Sequence, residues 1–200
     1  MARTVNAEQH RAKRRHILHA AARLFADRGY NGTSTAQICR AAAVSSGTLF
    51  HYFPTKRALF AALIAGDDLG DNDSRTAAER AYDADPMEGL LGFVDHLAAG
   101  AAEPIVPGLV VEAMLQAGRD PDLAALMEDA SDTDQMHLTS LLSRAQQAGD
   151  ISTALDPEEC ASWIMTLIGA LYLHAATHED SDHTTQLTMF RRTVKRYLQP

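Results

Sequence analysis

The chain has 200 residues, 46% apolar and 22% charged, with a formal net charge of −8, which suits one globular domain or two small ones and excludes a disordered chain. Its two cysteines, Cys39 and Cys160, lie far apart, which excludes a disulfide scaffold or a cysteine zinc cluster and fits a reducing cytoplasm. No run of about 18 uncharged apolar residues occurs and no apolar block follows Met1, so a cytoplasmic protein without a membrane partner is expected.

The charge is divided unevenly. Residues 1–66 carry ten Lys/Arg and two Asp/Glu, a balance of +8; residues 67–200 carry eight and twenty-four, a balance of −16. A basic head on an acidic body calls for a polyanionic partner at the head alone.

Strand-type alternation is absent, and alanine, the strongest helix former, occurs 35 times. The expected fold is all-α, with about nine helices near 7–28, 35–42, 46–52, 55–82, 86–102, 105–118, 121–148, 157–178 and 182–198. The first starts at a capping box of Asn6 and Gln9 and stops at Gly29. Asp85-Pro86, Asp120-Pro121 and Asp156-Pro157 each place an N-cap carboxylate before a proline that needs no N–H partner. The acidic stretch from Gly66 to Ser74 is either a boundary or a kink in the 55–82 helix.

The two short helices at 35–42 and 46–52, joined by a tight turn at Ala43-Val44-Ser45, make a helix-turn-helix unit spanning about 34–53. Ile38, Val44 and Leu49 would lock the pair together. The second helix of such a unit enters the major groove, which leaves Ser46, Gly47, Thr48, His51 and Tyr52 facing DNA. Thr35 begins the first short helix, where free N–H groups suit a phosphate. Lys56 opposes the dipole at a helix start, and a bound phosphate would relieve that.

At these residues the chain resembles the TetR family of bacterial transcriptional regulators. The resemblance rests on Arg23-Leu-Phe-Ala-Asp-Arg-Gly-Tyr-Asn-Gly-Thr-Ser-Thr35, on Ile38, and on the run from Ala42 to Phe60 with its Gly47-Thr-Leu-Phe-His-Tyr-Phe-Pro-Thr-Lys56 core. It implies DNA contacts at Thr35, Ser46, Gly47, Thr48, Tyr52 and Lys56, with His51 beside them. Two positions depart from the family pattern. Ala43 stands where the family has Gly, which predicts a slightly different turn. Phe50 stands where it has Tyr, which removes a hydroxyl from the phosphate contacts.

The division expected is a DNA-binding head at 1–54 and an effector-binding and dimerisation body at 55–200. The body shows no phosphate-loop, dinucleotide, nucleophile-elbow or zinc-protease pattern, so neither enzyme activity nor a cofactor is expected. His174, His178 and His183 read as a polar helix end rather than a metal site. The 157–178 helix is apolar nearly all round, and with 182–198 it would form a four-helix interface with a second copy. Phe93, Leu97, Met114, Met127, His137 and Trp163 lie on apolar stripes and could line a cavity for a small apolar or aromatic effector. The reading is a homodimeric repressor that leaves a near-palindromic operator when its effector binds. An effector-independent regulator, an activator and a small helical enzyme stand as alternatives.

Overall fold

The computed structural model describes residues 2–66, 85–178 and 180–199, with the side chains of 2–6 excepted. Among the described residues the chain is all-α. Its helices are α1 (Ala2–Gly32), α2 (Thr35–Ala41), α3 (Ser46–Tyr52), α4 (Lys56–Ile64), α5 (Pro86–Ala99), α6 (Val106–Ala117), α7 (Pro121–Ala148), α8 (Pro157–Thr177) and α9 (His183–Leu198), with a short 3-10 turn at Gly100–Ala102.

The helix starts follow side-chain chemistry. Asp85 accepts from the Glu88 N–H, Asp156 from the Glu158 and Glu159 N–H groups, and Asp120 from the Asp122 and Leu123 N–H groups. Ser34 and Gln37 form a reciprocal capping box on α2, while Ser45 caps α3 and Thr55 caps α4. Two expectations are corrected. α1 begins at Ala2, so Asn6 lies within the helix and not at its start, while Gly29 (φ 70°, ψ 166°) breaks it, as expected, before the short turn to Gly32. α4 ends at Ile64, and Gly66 takes a φ of 69°, which breaks the helix expected over 55–82. The rest of that helix and the Asp67–Asp73 cluster lie outside the described residues.

By packing, the chain divides into two compact units. The first joins the described residues up to 66 to residues 108–128. Packing thus groups 55–66, most of α6 and the start of α7 with the head helices, although they follow residue 54 in the chain. The core of this unit is Ile17, Leu18, Phe25, Ile38, Leu49, Phe53 and Phe60, all buried. Phe60 meets Phe25 edge-on at 5.1 Å and Tyr30 at 5.0 Å between ring centroids. α6 approaches α1 closely at Gly108, where a Cβ would lie 3.4 Å from the Ala26 methyl and carbonyl oxygen.

The second unit takes 85–107 and 129–199. α5 packs on α8 and α9, burying Leu90, Leu91, Phe93 and Val94 with Leu138, Leu142, Ile164, Ile168, Phe190 and Val194. The Tyr172 hydroxyl donates to the Leu97 carbonyl at 3.0 Å, capping the end of α5. Arg191 pairs with Asp95 and Glu88, and Lys195 joins at Glu88. By length and composition alone α8 is apolar enough to cross a membrane, a test that the core helix of a soluble protein also passes. Cys160, Ala161, Ile164 and Ile168 of that helix face the core, but Trp163 and Leu173 are exposed on the single chain.

The turn between α2 and α3 was expected to adjust to Ala43. Instead Ala43 adopts a left-handed φ of 48° and carries the steric cost of a Cβ there, about 1 kcal/mol or more. Ala43→Gly is therefore expected to stabilise the protein by about 1 kcal/mol, a rise of roughly 2–4 °C in Tm for a chain of this size. Calorimetry checks it, and an unchanged or lower Tm would show that the alanine is not strained.

Candidate nucleic-acid interface

The second helix of the pair, α3, is a two-faced element. Leu49 is buried against the head core, while Ser46, Gly47, Phe50 and His51 are exposed and Thr48 and Tyr52 half-buried. The Ser45 hydroxyl accepts from the Thr48 N–H at 3.1 Å and lies 2.9 Å from the Thr48 hydroxyl. One side chain thus both caps the helix and steadies a candidate contact. Ile38 is buried as expected for the inner face, and Val44 half-buried.

Phe50 was considered only for its missing hydroxyl. It is 46% exposed and stands one turn from Ser46 and Gly47, on their face. An exposed phenyl on a reading helix can contact a thymine methyl group. The signal was available in the sequence, since an apolar residue at i+4 from an outward serine falls on the outward face.

Thr35 is half-buried at the first position of α2. Lys56 has a different setting from the one inferred. Its ammonium donates to the carbonyls of Tyr30 at 2.8 Å and Thr33 at 2.9 Å and lies 4.1 Å from the centroid of the Tyr30 ring. These carbonyls belong to the turn that follows the break at Gly29 (φ 70°, ψ 166°), and the ammonium satisfies both of them. No phosphate is needed to explain the lysine, although an ammonium has three donors and one remains. Burial lowers the Lys56 pKa and raises that of Tyr30.

Side chains from 108–128 hold this corner in place. The Glu112 carboxylate accepts from the Tyr30 N–H and from the Gln116 amide, both at 2.8 Å. Arg57 makes two hydrogen bonds to Asp120, at 2.6 and 2.7 Å, and one to Asp122 at 2.8 Å. The Arg57 hydrogen bond pulls the Asp120 pKa down to about 2. Neither Glu112 nor Asp120 was expected at the site. Each acts across more than 60 residues of sequence, and no local pattern encodes that.

The six residues expected around an effector fall in both compact units. Phe93 and His137 meet edge-on at 4.6 Å, and Leu97 packs against the same core one turn after Phe93. Met114 and Met127 belong to the first unit, and Met114 is exposed. Trp163 is 52% exposed and lines an open groove with Gln135, Asp156, Glu158 and Thr166. Its position on an apolar stripe was the signal, and that signal does not separate a cavity wall from an outer face. No cluster of three or more metal-ligating side chains occurs among the described residues.

Residues 17–63 match the family described as bacterial regulatory proteins, tetR family, and residues 86–199 match BetI-type transcriptional repressor, C-terminal. The chain is 34% identical over 148 residues to the HTH-type transcriptional regulator UidR of Escherichia coli, covering 70% of this chain and 69% of the relative. Its fold superposes on Salmonella enterica GusR with a TM-score of 0.69 at 30% identity, covering 94% and 95% of the two chains. FadR from Bacillus subtilis, solved in complex with stearoyl-CoA, has a TM-score of 0.70 at 18% identity over 90% and 96%, a likeness of fold alone. With the reading helix exposed on a basic head and both halves of the sequence matched, the chain belongs to the TetR family of DNA-binding transcriptional regulators.

Proposed function

We propose that the protein is a cytoplasmic homodimeric repressor that binds a near-palindromic operator and releases it when a small apolar or aromatic effector occupies the body. The observation that carries this reading is α3, whose buried Leu49 leaves Ser46, Gly47 and His51 free to face a groove. Ser46, Gly47, Thr48 and Phe50 would meet base edges; Thr35, His51, Tyr52 and the remaining donor of Lys56 would meet phosphates.

An open apolar groove between α8 and α9 supports the dimer. It is lined by Leu167, Leu171, Met189 and Phe190, and it lies on the pair of helices expected to form the interface. Phe93, Leu97 and His137 are the best-supported effector contacts, since they share one core. The Bacillus subtilis neighbour, which shares this fold and was solved in complex with stearoyl-CoA, supports a ligand-binding role.

The test is a footprint and an anisotropy titration on duplex from upstream of the protein's own gene. Half-sites about one helical turn apart, or somewhat more, and an affinity that falls steeply with salt are expected. An effector should weaken operator binding roughly 5–150-fold, and the operator should weaken effector binding by the same factor. Binding indifferent to sequence or salt would overturn the reading. A ligand held tightly with no such reciprocity would overturn the effector part.

A further inference from the structure

The family match begins at residue 17, yet α1 begins at Ala2. Residues 7–13 are exposed on all sides, so no core burial accounts for these turns, and short stretches of helix are marginal without it. Their composition is one-sided. Five of the head's ten Lys/Arg fall within the first 15 residues, against a single acid, Glu8.

The location of this segment gives the charge a purpose. The His10 ring lies 4.5 Å from the Tyr52 ring and 6.3 Å from His51, and the Arg14 guanidinium sits 5.1 Å from the Phe53 centroid. These contacts seat the start of α1 against the end of the reading helix. Arg11, Lys13 and Arg15 are left exposed beside it. A cationic surface continuous with a DNA-reading face is complementary to the next phosphates along the duplex.

We propose that residues 7–15 are a second DNA-contact surface, gripping phosphates that flank the half-site read by α3. This rests on the operator-binding function above. The surface carries no base readout; it adds affinity and fixes the angle at which α3 enters the groove.

The test is the intact chain with Arg11→Gln and Lys13→Gln together, which removes two charges from exposed positions and keeps good helix formers. The plot of log affinity against log salt should become less steep by about one to two, near 0.9 for each phosphate that is no longer neutralised. Operator and random duplex should both bind about ten- to a hundredfold more weakly at roughly 0.1 M salt, with Tm unchanged. Trimming the duplex to the half-site edges should weaken the wild type and leave the variant nearly unaffected. An unchanged slope would overturn the proposal, whether or not affinity falls. If the wild type itself shows no salt-dependent operator binding, the underlying function fails and takes this surface with it.

Discussion

Replacing Gly47 with Glu is expected to lower operator affinity by about a hundredfold or more while leaving the fold intact. The glycine is not required by the backbone. It lies within α3 and is absent from the positions with positive φ, and the nearest atom to an added Cβ is the Ser45 hydroxyl at 3.8 Å. Glycine in a helix is about 1 kcal/mol less favourable than alanine, so its smallness costs the fold and favours close approach by a partner. A carboxylate in the first turn of α3 is welcome to the helix dipole but would face the phosphates and base edges. Like charges forced together at an interface cost several kcal/mol, and about 1.4 kcal/mol is tenfold. Anisotropy with labelled operator reads the affinity, and thermal melting confirms the fold. Retained affinity would remove the start of α3 from the DNA interface. Gly47→Ala serves as the mild control, with a Tm no lower than wild type.

The second large effect is expected at Met189→Asp. Met189 is 52% exposed on the single chain and lines the groove between α8 and α9, so the monomer should tolerate a carboxylate there. If a second copy covers that groove, the carboxylate becomes buried without a designed partner, at a cost of several kcal/mol. The dimer dissociation constant should rise by about a hundredfold or more, read by sedimentation velocity over a concentration series. Operator affinity should fall with it, because linked heads bind two half-sites at high effective concentration and separated ones do not. A variant that stays dimeric would move the interface away from these helices. A dimer that persists while operator binding is abolished would show that Met189 acts on head spacing.

Much of the architecture is local and could be read directly. Asp-Pro pairs, Ser/Thr caps and Gly29 mark helix ends because they satisfy or terminate backbone hydrogen bonds within a few residues. The outward face of α3 follows from helical periodicity once Leu49 is assigned inward. The same reasoning led astray at Asn6, where α1 continues to Ala2 through the basic segment beside Tyr52 and His51. It also led astray at 55–82, where the acidic stretch left the break unresolved and Gly66 ends the helix.

By itself, then, the sequence determined the all-α class, the helix-turn-helix, the basic head and the exposed face of α3, since each depends on neighbours within a turn or two or on summed charge. Only the tertiary structure decided what those elements pack against. It assigned 108–128 to the head through Glu112 on Tyr30 and Asp120 on Arg57. It seated Lys56 on the carbonyls of Tyr30 and Thr33, and it buried Phe93 against His137 while leaving Trp163 exposed on the single chain. An apolar stripe records that a face is to be covered, and a charged side chain that it needs a counterpart. Neither encodes which distant residue supplies it, because that choice is made by packing across tens of residues of chain.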